Sequence, residues 1–507
     1  MRIKNALQYL ERTAARLPDK IAFSDGAEGE ALTFSALLDG ARRVGSGLCG
    51  VGLTGRRVAL LMERHPSAIA AMLGALYAGA VYVPLDAAMP RERMATILAS
   101  CHAAAIVCDE TNRETAASFG LPLCPYAEMA ATEIDETALA MVRAKQIDTD
   151  PTYIIFTSGS TGTPKGVVGC HRAVIDYGEA LMTALSLDEN AVMGCQSPLY
   201  FDAPLKEILT TLMLGGTTYL IPRKLFSFPV LLMDYLNDNG INTICWVSSA
   251  LSTAAALGAL EARPPRTLTR VVFGSERLPL SHYRAWRKTL SGATFYQLYG
   301  PTEATGMSCV WRADRELLEH EYIPIGAPLD NTGLILLGED GREILPASGS
   351  ESAIGEMYLR GSCLTHGYDN NPAQTADAFV QNPLHNDYPD RVYRTGDLAY
   401  YNGFGELVFV GRRDGQIKRM GHRIEPGEIE ACALSVDGVA LAACVVSEPT
   451  DEMVLFYTGT AEDAAVTSAL VRALPRYYLP ARVVRLATLP ATPNGKIDRR
   501  ALAKEKV

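Results

Sequence analysis

Residues 153–167 read Tyr-Ile-Ile-Phe-Thr-Ser-Gly-Ser-Thr-Gly-Thr-Pro-Lys-Gly-Val: a β-branched and aromatic run that breaks into glycines and hydroxyls and closes on one lysine. The run 153–156 predicts a buried strand. Gly159, Gly162 and Gly166 then let backbone N–H groups turn toward an anion without Cβ obstruction. Thr157, Ser158, Ser160 and Thr161 add hydroxyl donors, and Lys165 adds a point charge. This strand, loop and lysine suit a polyphosphate. The Walker pattern needs Gly-Lys-Ser/Thr after four intervening residues, so the P-loop NTPase reading fails.

Apolar strands at 57–62, 105–108, 217–222, 243–247 and 270–273 alternate with helical patterns, the signature of α/β sheets with helices on their faces. Over 323–401 the texture changes to short strands with Gly and Pro turns, which predicts a β-rich subdomain at about 323–411. Past Gly411 a charged stretch, 412–419, precedes a helix with an acidic first turn at 425–430. The remainder to Val507 reads as a compact α+β unit, with a boundary at Asp414.

A formal net charge of -10 argues against wrapping nucleic acid or binding an anionic membrane. The 11 cysteines include no C-x-x-C pair and the 8 histidines no H-x-x-x-H pair, so neither a zinc site nor a disulfide framework is expected. Reduced thiols fit a cytoplasmic protein. Residues 1–12 look like an amphipathic helix without an h-region, so no secretory signal is expected. The segment 68–85 contains Gly74, Gly79 and Pro84 and divides into a helix at 67–77 and a strand at 80–83 rather than a membrane span.

Further motifs follow in order: Phe201-Asp202-Ala203, Gly274-Ser275-Glu276, Tyr299-Gly-Pro-Thr302-Glu303, Tyr393-Arg-Thr-Gly-Asp397-Leu, Gly411-Arg412-x-Asp414-x-Gln-Ile-Lys418 and Asn494-Gly-Lys496-Ile-Asp498. Over essentially its whole length the chain resembles the adenylate-forming superfamily of acyl-CoA synthetases, luciferases and nonribosomal peptide synthetase adenylation domains. The run 77–86 and the ending 489–502 are similar to the amino-acid-activating branch. The resemblance implies an α/β fold: a large N-terminal domain, 1–413, of two α/β layered subdomains plus the β-rich one, and a small mobile α+β domain, 414–507.

The resemblance also implies roles. In adenylation a carboxylate attacks the α-phosphorus of ATP and expels pyrophosphate, so the protein contributes positioning and charge stabilisation rather than a nucleophile. Thr157, Ser158, Gly159, Thr161 and Lys165 match the grip on the departing phosphates. Gly274, Ser275, Glu276, Gln297, Tyr299 and Gly300 match ATP/AMP-binding positions, with Tyr299 against the adenine ring and Gln297 on its edge; the family usually has Asn at Gln297. Asp397, a turn cap if read alone, matches the acceptor of the ribose hydroxyls, and Arg412 a ribose and phosphate contact. Thr302, Glu303 and Lys496 match catalytic positions, with Glu303 as the Mg²⁺ ligand. Lys496 follows the tight-turn pair Asn494-Gly495, and Asp414 matches a hinge. Met420 stands where Arg is usual, while Gly421 and Arg423 match.

Asp202 matches the carboxylate that pairs with an α-ammonium, which favours an amino acid over fatty or aryl acids. Side-chain pocket positions are similar to Ala203, Lys206, Cys245 (or Trp246, since Ser248-Ser249 replaces a Pro-Ser landmark), Val272, Gly274, Leu298, Gly306 and Met307. If Lys206 points inward, an acidic (Glu/Asp-like) substrate is expected. If it pairs with Glu207 or snorkels outward, a small neutral one is. No condensation or carrier segment and no phosphopantetheine attachment motif appears, so the resemblance implies a separate phosphopantetheinylated carrier protein as acceptor. The competing expectations are a D-alanine–carrier protein ligase, an acyl- or aryl-CoA ligase, and a nucleotide-binding module without catalysis.

Overall fold

The computed structural model describes every residue except 1–2, 27–28, 158–163, 320, 348, 414–416, 420, 448–449, 451, 491–496 and 506–507. The chain forms two compact units: Met1–Ala87 with Cys101–Ile155 and Val167–Arg412, and Ala88–Ser100 with Phe156–Gly166 and Arg413–Val507.

The first unit contains the expected α/β layering. Nine strands form one sheet, in the order Ala327–Pro328, Cys309–Arg312, Thr294–Tyr299, Arg270–Gly274, Thr243–Val247, Val192–Cys195, Thr217–Leu220, Ile21–Ser24 and Ala31–Thr33. Its central strands run parallel and its edges antiparallel. A six-stranded sheet is ordered Leu123–Pro125, Ala105–Cys108, Arg57–Leu61, Val81–Pro84, Pro151–Thr157 and Lys165–Cys170. Burial on both faces explains why these strands read as unbroken apolar runs rather than alternating ones.

The segment 68–85 is the helix Pro66–Tyr77 and the strand Val81–Pro84, each starting within one residue of expectation. That helix is buried on all sides, which accounts for its membrane-like composition. Among the described residues, no helix is long and apolar enough to cross a membrane. The N-terminal helix spans Leu7–Arg16, later than the sequence suggests. The β-rich region is an antiparallel sheet of Thr332–Leu337, Gly355–Gly361, Arg391–Tyr401 and Phe379–Gln381, with Leu407–Arg412 paired to Arg391–Tyr401.

In the second unit, helices Pro426–Leu434 and Asp463–Ala473 accompany the three-stranded sheet Val439–Val446, Met453–Gly459 and Arg482–Arg485. The helix Arg91–Ser100 also belongs to this unit. Arg93 forms a buried ion pair with Glu428, their side chains 8% and 2% exposed, and lies 5.3 Å from the ring centre of Tyr478.

Candidate active site

Three adjacent parallel strands set the site. Their register puts Cys245 beside Val272 and Gly274 beside Leu298, and the two-residue period of a strand brings Val272 and Gly274 to one face. A Cβ on Gly274 would stand 2.4 Å from the carbonyl oxygen of Leu298, so the close approach of these strands requires glycine. The chain then turns through Ser275 in the left-handed region, φ +68. The Ser248 hydroxyl pins that turn by donating to the carbonyl of Glu276 at 2.9 Å. Crevices beyond the carboxyl ends of parallel strands are where α/β sheets bind ligands.

A small cavity opens there, lined by Ala203, Lys206, Cys245, Val272, Gly274, Ser275, Leu298 and Met307 of the expected residues, and by Ser197, Trp246, Val247 and Phe273. Both candidates for the uncertain strand position, Cys245 and Trp246, lie on it. Asp202 and Gly306 are not part of its lining. Its volume of about 10 Å³ is close to room for one water.

Lys206, at the start of the helix Leu205–Leu214, is only 4% exposed, and its Nζ donates to the carbonyl of Ala203 at 2.7 Å. It therefore does not snorkel outward. It also makes no ion pair with Glu207. The Glu207 side chain is fully buried, neither carboxylate oxygen has a hydrogen-bond partner among the described residues, and burial pushes its pKa up toward the neutral form. Sequence reasoning treats Glu207 only as a partner for Lys206, because two adjacent residues give no indication of how a helix is rotated. Burial likewise raises the carboxyl of the half-buried Asp202, against a hydrogen bond with Thr302 and the charge of Lys206.

Gln297, 7% exposed, keeps its Oε1 without a partner among the described residues. Two residues along the strand, Tyr299 packs its ring 6.2 Å from that of Phe409 and donates its hydroxyl to Asp397 Oδ2. Strand pairing sets Asp397 opposite Arg412, whose guanidinium donates to Oδ1 at 2.6 Å. Burial, reinforced by Asp397, holds the Tyr299 hydroxyl well above its ordinary pKa. Glu303 sits on the single turn Thr302–Ala304, fully buried, and accepts from the Tyr368 hydroxyl at 2.7 Å. Tyr368 is a residue that sequence reasoning misses, since it lies in none of the motifs. Thr157 ends its strand with a buried hydroxyl that has no partner among the described residues, and Lys165 opens the next strand half-buried. Gly300 leads from the strand Thr294–Tyr299 into the turn that carries Glu303. Ser158, Gly159, Thr161, Asp414 and Lys496 lie outside the described residues.

Among the described residues, no group of three or more His, Cys, Asp and Glu side chains is placed to hold a metal ion. One hard carboxylate fits Mg²⁺ all the same, because that ion is commonly held by one or two carboxylates plus substrate phosphates.

Residues 10–369 match the family described as AMP-binding enzyme. Tyrocidine synthase 1 of Brevibacillus parabrevis is 30% identical over 98% of this chain and 45% of its own length. Tyrocidine synthase 2 of the same organism is 31% identical over 98% of this chain and 14% of its own length, so the chain spans less than half of either relative. The structure of holo-PA1221, a nonribosomal peptide synthetase protein containing adenylation and PCP domains bound to a vinylsulfonamide inhibitor, superposes with a TM-score of 0.83. It is 26% identical, over 98% of this chain and 84% of that one.

Proposed function

The chain belongs to the AMP-binding enzyme family, within the adenylate-forming superfamily, and on that premise we propose that it activates an α-amino acid as aminoacyl-AMP and passes it to a carrier-protein thiol. The observation that carries the amino-acid reading is the buried ammonium of Lys206 on the cavity, with no carboxylate in ion-pair range among the described residues, close to the raised carboxyl of Asp202. A zwitterion answers both: its α-ammonium serves Asp202, and an acceptor on its side chain serves Lys206. A buried charge without such a partner is costly. The inward-facing Lys206 favours an acidic, Glu/Asp-like substrate over a small neutral one.

The unpartnered Oε1 of Gln297 can accept from the adenine amine. Asp397 and Arg412 then serve the ribose, exchanging their mutual contacts in part for its hydroxyls. Glu303 would hold Mg²⁺, which neutralises developing phosphate charge when bound. Lys496 would stabilise the transition state, and Asp414 would let the C-terminal domain move between adenylation and thiol transfer. The PCP domain named beside the adenylation domain in holo-PA1221 supports a carrier as acceptor.

Pyrophosphate exchange over a panel of amino acids of both stereochemistries tests this reading. We expect exchange with an acidic amino acid, a drop of at least about tenfold for that acid in Lys206→Ala, and loss of about 10²–10³ in Lys496→Ala. Exchange with alanine alone, untouched by Lys206→Ala, would replace the acidic reading with the small neutral one. Transfer to free CoA without a carrier would indicate a CoA ligase.

A further inference from the structure

One short stretch of chain, residues 365–368, holds Glu303 from two directions. The N–H and the hydroxyl of Thr365 both donate to the main-chain carbonyl of Glu303, each at 3.0 Å. Three residues on, the Tyr368 hydroxyl donates to the carboxylate Oε1 at 2.7 Å. Thr365 is fully buried and Tyr368 is 8% exposed, so neither contact competes with bulk water.

The same stretch is stitched to the strand Lys165–Cys170. The His366 N–H donates to the Val168 carbonyl at 2.9 Å, and the Val168 N–H donates to the Gly367 carbonyl at 3.0 Å. Val167 and Tyr368 form an antiparallel bridge. The Tyr368 ring is held edge-on to Phe379, centroids 6.0 Å apart. The tyrosine thus has little rotational freedom, and its hydroxyl is aimed by backbone pairing rather than by a mobile loop.

We propose that Tyr368 is a positioning residue for Glu303: it fixes the plane of a buried carboxylate so that the carboxylate meets the cation of a bound Mg·ATP in one orientation. This rests on the reading of Glu303 as the Mg²⁺ ligand. Groups that orient metal-binding side chains commonly change metal affinity by 10–100-fold when removed. A buried carboxylate stripped of one neutral donor also loses a hydrogen bond that water cannot replace.

The test is equilibrium binding of ATP by the full chain, titrated with Mg²⁺ and read by calorimetry rather than by turnover. In Tyr368→Phe, which removes only the hydroxyl, the Mg²⁺ concentration for half-maximal enhancement of ATP binding should rise about tenfold. ATP affinity without Mg²⁺ should stay unchanged. Thr365→Val, which keeps the N–H contact, should shift the same midpoint in the same direction by less. Unchanged midpoints in both variants, with Glu303→Gln shifted, would overturn the proposal and leave Tyr368 a packing residue. No shift in Glu303→Gln would remove the metal-ligand reading itself and the positioning role with it.

Discussion

An amide oxygen left without a partner in a folded interior is a liability of roughly 1–3 kcal/mol, and among the described residues Gln297 carries one. Gln297→Leu should therefore melt at the same temperature as the wild type or higher, while its ATP affinity falls about tenfold, roughly 1.4 kcal/mol. Thermal unfolding and nucleotide titration of one preparation would show the two changes moving in opposite directions. The proposed role of Gln297 is legible only from its place among ordered motifs; that its oxygen lacks a partner among the described residues depends on strands distant in sequence. Lys206 and Glu207 show the same limit, since identity and adjacency do not reveal which side chain reaches the cavity. Tyr368 meets a partner 65 residues away, and no local pattern encodes that contact.

Elements with a strong intrinsic signal are readable. The β-branched run at 153–156 lies in the strand Pro151–Thr157, and the apolar segment at 67–77 is a helix, because burial on all sides leaves composition as the signal. The edge strands Ala31–Thr33 and Ala327–Pro328 are not, being two or three residues long and defined by the neighbour they pair with. The helix His171–Ala184 shows what an element end can contribute. His171 is 1% exposed and accepts at Nδ1 from the Ala6 N–H at 3.3 Å, fastening the entry to the N-terminal helix. Burial, with Arg143 nearby, lowers its pKa from 6.5 to about 3, so the folded chain keeps a neutral ring where the unfolded chain takes a proton. Stability should thus fall as pH drops below about 6.5, by up to about 5 kcal/mol near pH 3. Urea unfolding from pH 7.5 to 5 should show the slope in the wild type and a reduced one in His171→Gln.

For the molecule as a whole, the informative feature is that residues 335 apart in sequence share a buried charge pair. Removing one member of such a pair leaves the other charge uncompensated, at about 3–5 kcal/mol, whereas replacing both with apolar groups is often neutral. Arg93→Ala should lower the unfolding transition of the second unit by that amount, and Arg93→Met with Glu428→Leu should recover most of it. Equal losses in the single and double variants would show that the pair itself is stabilising. Nothing in the sequence around Arg93 announces a partner so far along the chain. The same pair constrains anyone recombining such proteins. A chimera spliced only at the junction of Arg412 and Arg413 would inherit Glu428 opposite a foreign residue. A clean exchange of modules has to transplant residues 88–100 and 156–166 together with the C-terminal part, as one discontinuous cassette.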